Sequence, residues 1–307
     1  MAVETTAAPL ARPRLFELTP ARFRQVAIAS AAMLVLIVVT GATVRLTSSG
    51  LGCEHWPGCQ PGDPFPKKGY HSYVEFSNRV VAFFTILTTL AAWTTANFAP
   101  GVRPWLKALA GWVFIGTLAQ APLGAITVYF HLNPYLVLTH LLLSLAVLGG
   151  GVVVALEAVA LISGRGLAAP REIRWGSLAV LAALAVLLVS GTVVTGSGPH
   201  PGGADVRRLG HFDTAIWLHV RATAAFGISF LVLLAWSWRR RRFLRGCVGL
   251  LALLLLQMTI GEIQYRTELP WWLVLVHVGV AASVWGWAVG LVYSFWRPAA
   301  RALHSCE

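Results

Sequence analysis

Runs of predominantly apolar residues occur eight times along the chain, near 25–45, 73–97, 105–129, 134–162, 175–195, 213–237, 246–264 and 271–296. About 20 such residues in helical form cross the ~30 Å hydrocarbon core of a bilayer, so each run is read as a transmembrane helix. Gly and Pro in or beside them, such as Pro122 and Gly124, are tolerable where neighbouring groups satisfy the freed backbone. With only 12% charged residues and a mean hydropathy of +0.69, the chain cannot be an ordinary soluble domain, where about a quarter of residues are charged.

A net charge of +12 would point to nucleic acid in a soluble protein. Here no aromatic stacking platform accompanies the basic residues, and the positive-inside rule explains them better. With the N-terminus inside, the cytoplasmic segments hold Arg12, Arg14, Arg22, Arg24, Arg103, Lys107, Arg165, Arg171, Arg174, the run Arg239 to Arg242 with Arg245, Arg297 and Arg301, which is 16 of the 24 basic residues. The other eight, Arg45, Lys67, Lys68, Arg79, Arg207, Arg208, Arg221 and Arg266, lie on or near the outer face and need another explanation. The Arg239–Arg242 run reads as a topology anchor. The first apolar run is too long for a signal h-region and lacks a clear cleavage site, so an uncleaved first span is expected. The expectation is a multi-pass plasma-membrane protein with both termini cytoplasmic. Its parts are a cytoplasmic segment 1–24, a four-helix half 25–163, a cytoplasmic linker 164–174, a second four-helix half 175–296 and a tail 297–307.

Those halves follow from an internal repeat. Gln120-Ala-Pro-Leu-Gly124 precedes His140 as Gln257-Met-Thr-Ile-Gly261 precedes His277, and the two copies are offset by 137 residues. Thr40-Gly41-Ala-Thr43-Val44 resembles Ser190-Gly191-Thr-Val193-Val194, and Asn78 precedes His219 by 141 residues. A period near 140 that covers four spans makes two halves of equal orientation, a parallel repeat about an axis along the membrane normal. The expected fold class is therefore an all-α membrane protein, eight transmembrane helices arranged as two pseudo-symmetric four-helix bundles.

Asn78, His140, His219 and His277 each fall five or six residues after the outer start of an apolar run, which puts them about 8 Å below the outer boundary at ~1.5 Å per residue. Side chains on facing helices at one depth are how a bundle core holds a metal or cofactor. Imidazole suits heme iron, and histidines from separate helices would hold a heme edge-on between them. Glu75 shares a helix face with Asn78, and ionisable groups just inside a membrane helix are costly enough to suggest function. A heme needs cations for its two propionates, and Arg79, Arg221 and Arg45 are placed to supply them. His55, His71, His131, His200, His211 and His304 read as polar residues of loops, boundaries or tail, with His71 the one to watch.

In the first outer loop, Thr47-Ser-Ser-Gly50-Leu-Gly-Cys53-Glu-His-Trp56-Pro57-Gly-Cys59-Gln60, Cys53 and Cys59 face an oxidising compartment, where a disulfide is compatible with their spacing. The pair suits either a structural staple or a redox or cofactor-handling role. Glu54 and His55 beside it are a weak metal signal, and Cys247 and Cys306 are unpaired.

Taken together, Gly41-Ala-Thr-Val-Arg45-Leu-Thr47-Ser-Ser-Gly50-Leu, the Cys53/Cys59 loop, Glu75-Phe-Ser-Asn78-Arg79, and His140, His219 and His277 resemble the heme A synthase family, membrane enzymes that convert heme O to heme A for terminal oxidases. The resemblance covers nearly the whole chain. It implies heme b between His219 and His277 in the second half and the substrate heme in the first, with His140 an iron ligand of the substrate heme; the propionate reading adds Arg221 to the heme b site and Arg79 and Arg45, beside Asn78, to the substrate site. It further implies that Glu75 takes part in catalysis and that Cys53 and Cys59 are the family's outer-loop pair. Other members carry His in the place of Asn78, so two-histidine ligation of the first heme does not carry over. The expected activity is oxidation of a ring methyl of heme O to a formyl group through hydroxylated intermediates. Expected partners are heme O, membrane lipid, an electron-transfer partner, heme O synthase and oxidase assembly factors, and a second copy of the chain, with no nucleic acid. The rival expectation is a diheme electron-transfer protein, whose ligands should match between halves; Asn78 against His219 breaks that match. Parallel repeats also occur in transporters, but histidines at equal depth do not belong to that reading.

Overall fold

Pro20, Pro104 and Pro134 each sit in the first turn of a helix, where the missing N–H is no loss and φ is already helical. Thr19 and Asn133 cap their helices by accepting from the N–H groups of Arg22 and Tyr135. In the computed structural model, residues 18–297 are described except 54, 56–57, 64, 67–68, 201 and 203–205. Arg12, Arg14, Glu54, Trp56, Pro57, Lys67, Lys68, Arg301, His304 and Cys306 lie outside the described residues.

The described helices are α1 (Pro20–Leu46), α2 (Tyr70–Phe98), α3 (Pro104–Tyr129), α4 (Pro134–Ser163), α5 (Arg171–Ser197), α6 (Phe212–Trp238), α7 (Arg241–Arg266) and α8 (Trp271–Trp296). All eight are long and apolar enough to cross a membrane. Several begin earlier than their apolar runs: α1 at Pro20, α2 at Tyr70 and α7 at Arg241. Hydropathy registers the lipid-facing middle of a span and not the polar turns at its ends. Pro122 lies within α3 without ending it.

Packing gives the two bundles. α1 touches α2 and α4, and α3 touches α2 and α4, closing one ring; α5, α6, α7 and α8 close another in the same order. The rings meet through α4 on α8, α1 on α8 and α4 on α5. Exchanging the halves sends the α4–α8 contact into itself and swaps α1–α8 with α5–α4, the pattern of a two-fold axis. Across each ring the diagonal helices stand apart: no Cα of α2 comes within 8 Å of one in α4, nor of α6 with α8.

One end of the molecule carries the Cys53–Cys59 disulfide and the other the Arg239–Arg242 turn; we call them the disulfide end and the arginine end. The dense core favours the arginine end, with Phe23, Leu34, Leu106 and Leu148 in the first bundle and Phe226, Phe230, Leu250 and Phe295 in the second. At the arginine end the halves are joined by Glu157 of α4, 2% exposed, whose carboxylate binds Arg165 and accepts from the Tyr293 hydroxyl. Arg297 stands 3.5 Å from the same carboxylate. Trp285 of α8 adds a hydrogen bond to Leu145 O of α4 at 2.7 Å. A buried carboxylate with these partners costs more to remove than a surface ion pair, although the arginines stay partly exposed. Glu157→Gln is expected to cost about 1–3 kcal/mol, read as a lower unfolding midpoint in detergent.

Candidate active site

The four repeat-related positions fall on the diagonal helices. Asn78 lies eight residues after the start of α2, His219 seven after that of α6, and His140 and His277 six after those of α4 and α8. At ~1.5 Å per residue that is about 9–12 Å inside each helix, deeper than the apolar runs suggest at Asn78 and His219, because α2 and α6 start ahead of their runs. Each side chain is backed by a glycine of the preceding helix. A Cβ at Gly191 or Gly261 would sit 3.2 Å from Cε1 of His219 or His277; at Gly124 it would be 3.6 Å from Cε1 of His140, and at Gly41 4.0 Å from Oδ1 of Asn78. The glycines that mark the repeat in the sequence are therefore the floors on which these side chains rest.

Hydrogen bonds then aim the rings. The Ser190 hydroxyl donates to Leu187 O at 2.7 Å, which leaves it to accept from Nδ1–H of His219 at 2.9 Å. That places the proton on Nδ1 and the free lone pair on Nε2, the atom a metal would take. His140 and His277 rest against their glycines with Nδ1 buried and, among the described residues, without a hydrogen bond. In the first half Gln120 Nε2 donates to Ser144 Oγ at 2.9 Å and to His140 O at 3.3 Å, tying α3 to α4 at the histidine.

Around these positions packing loosens. No residue is fully buried over 76–84 of α2, 135–144 of α4, 216–225 of α6 or 272–281 of α8, and the four side chains lie within those stretches. Dense packing resumes at Thr85, Leu145, Phe226 and Ala282. Separated diagonal helices, loose packing at one level, and glycine-backed imidazoles together fit a flat ring system with a central metal. Heme meets those requirements in the second bundle with two histidines and in the first with one. Among the described residues no three His, Cys, Asp or Glu side chains converge as an all-protein metal site.

Glu75 is buried above the first bundle, and both of its oxygens are engaged. Oε1 accepts from Arg79 at 2.6 Å, and Oε2 accepts from the backbone N–H of Cys53 at 2.8 Å. Cys53 is half of the disulfide with Cys59. Arg79 also donates to His55 O at 2.8 Å and to Gly58 O. The loop approaches α2 closely, since a Cβ at Gly52 would lie 2.5 Å from His71 O, and the Ser72 hydroxyl donates to Gly52 O at 2.7 Å. Glu75 and Arg79 thus clamp the disulfide loop onto the start of α2.

The other arginines have separate settings. Arg45 reaches across to α5 and donates to Thr195 O, while its buried Nε has no hydrogen bond among the described residues. Thr195 in turn bonds Gly191 O at 2.7 Å, on the glycine that backs His219. Arg45 therefore touches both halves, where the sequence suggests only the first. Arg221 is exposed and stacks over Trp217 at 3.3 Å, a cation–π contact. His71 is engaged with Ser49 Oγ at 2.9 Å, and seven residues along α2 put it about 10 Å from the level of Asn78. Its sequence position thus does not make it a ready substitute ligand. Reading the sequence missed the hydroxyls of Thr40 and Ser190 as orienting groups and Glu157 as the junction between halves. Glu157 had a signal, an acidic residue inside an apolar run.

A family model described as cytochrome oxidase assembly protein, COX15-CtaA, matches residues 24–200. The chain is similar to a protein named heme A synthase from Symbiobacterium thermophilum, 29% identical over 285 residues that cover 86% of this chain and 92% of that one. It is also similar to proteins of the same name from Geobacillus thermodenitrificans, 34% identical over 107 residues, and Bacillus pumilus, 35% identical over 116 residues. The Geobacillus match spans about a third of each protein, 34% of this chain and 33% of the relative.

Proposed function

We propose, because this chain belongs to the COX15-CtaA family of cytochrome oxidase assembly proteins, that it is a heme A synthase, an oxidoreductase that converts a ring methyl of heme O to a formyl group through hydroxylated intermediates. The observation that carries this reading is the loosely packed level in both bundles, walled by glycine-backed side chains, with two histidines in one half and one in the other. Heme b, held between Nε2 of His219 and His277, would supply electron transfer. Heme O would be the substrate of the first half, bound through His140 on one side only, with Asn78 facing the other. Arg45, with its unused buried Nε beside both halves, is the arginine best placed to take a propionate. Glu75 holds the disulfide loop over this half and is the nearest carboxylate to Asn78 along α2, so it serves as both loop anchor and proton carrier. The arginine end faces the cytoplasm of a plasma-membrane protein, since the basic residues gather there.

Extraction of hemes from cells that make heme O, with and without this chain, tests the activity. Heme A is expected only when the chain is present. Its absence, in cells where the purified chain carries heme in both halves, would instead favour a diheme electron-transfer protein.

A further inference from the structure

On the reading that His140 holds the substrate heme from one side, we infer that Asn78 donates a hydrogen bond from Nδ2 to a small oxygen-bearing or anionic ligand on the open side of that iron. Thr40 acts as its positioning residue. The geometry rests on a role reversal between the halves. In the second half the Ser190 hydroxyl gives its proton to Leu187 O at 2.7 Å and accepts from His219. At the matching place in the first half, Thr40 stands 3.3 Å from Ile37 O but 2.8 Å from Oδ1 of Asn78. A hydroxyl has one proton to give, and here the shorter contact takes it, so Thr40 donates to the amide oxygen.

With Oδ1 taken by Thr40 of α1, Nδ2 keeps its donors, and none of the hydrogen bonds among the described residues uses them. Asparagine is also shorter than histidine. Where a Cβ would crowd the rings at Gly191 and Gly261 at 3.2 Å, at Gly41 it would lie 4.0 Å from Asn78, an ordinary contact. The site thus has the floor and the hydroxyl of a histidine position, occupied by a side chain that stops short and presents N–H donors. A side chain with less reach than an imidazole leaves room for a small ligand on iron, and its N–H donors can give that ligand a hydrogen bond that an axial imidazole could not.

Full-length protein, purified in detergent and loaded with heme O, is titrated in the ferric state with fluoride and followed by absorption and electron paramagnetic resonance. The heme b signal serves as an internal measure of folding. The wild type is expected to hold one high-spin and one low-spin heme and to bind fluoride at the high-spin one. Asn78→Leu keeps the high-spin signal but binds fluoride roughly ten- to a hundredfold more weakly, the range for a hydrogen bond to a charged group. Thr40→Val weakens binding in the same direction, and Thr40→Ser restores it. Asn78→His turns the first heme low-spin and abolishes fluoride binding. Unchanged fluoride affinity in both Asn78→Leu and Thr40→Val overturns the donor role and leaves one-sided ligation by His140 standing. Two low-spin hemes in the wild type, or no uptake of heme O, overturns the ligation reading itself.

Discussion

Replacing either His219 or His277 with alanine is expected to remove the low-spin absorption bands of the heme we assign to the second bundle. The two histidines stand on α6 and α8, diagonal helices with no Cα pair within 8 Å, so on this assignment one histidine alone cannot complete a six-coordinate iron. The aim of the rings matters as well as their identity. Gly191→Val and Gly261→Val would push branched side chains into space where even a Cβ comes within 3.2 Å of the ring, and both are expected to weaken or broaden the same bands. Ser190→Ala removes the acceptor that holds the proton on Nδ1 of His219; a smaller spectral shift is expected, with heme retained. Measurement on purified single variants decides the matter. If the low-spin bands persist in both alanine variants, His219 and His277 are not the axial pair.

The second large effect is expected at Glu75, where two roles can be separated. Its carboxylate anchors the disulfide loop through the Cys53 N–H and Arg79, and we assign it proton transfer at the substrate. Glu75→Ala removes both functions, leaving the Cys53 N–H without its acceptor and Arg79 without its counter-charge. Heme A formation should fall by about a hundredfold or more, the scale of a lost general acid–base. The loop should also exchange its amide hydrogens faster, as weakly held segments do. Glu75→Gln keeps an oxygen for the Cys53 N–H but carries no charge. It is expected to resemble the wild type in loop protection and the alanine variant in turnover. If Glu75→Gln retains near wild-type turnover, Glu75 is an anchor and not a proton carrier.

Much of the architecture could be read before any coordinates. Apolar runs of helical length can adopt little else in a bilayer, so the number and order of helices follow from local composition. The repeat of Gln120 to His140 in Gln257 to His277 is a covalent fact of the chain, and near-equal spacing from the starts of the apolar runs predicts a common depth for the four site positions. Helix ends were less legible, as α1 and α7 show by starting five residues ahead of their apolar runs.

What only tertiary structure decided are contacts between segments far apart in the chain. Nothing local to Arg45 says that its guanidinium crosses to Thr195, 150 residues away, and nothing local to Glu75 says that one oxygen is taken by the backbone of a disulfide 22 residues earlier. The repeated glycines announced a repeat in the sequence, but their use as floors for the rings depends on which helices pack side by side. The same holds for Thr40 and Ser190. Each is a hydroxyl in a helix, and whether it donates to a neighbouring side chain or accepts from it depends on interhelical distances of a few tenths of an ångström, because its one proton can satisfy only one acceptor well.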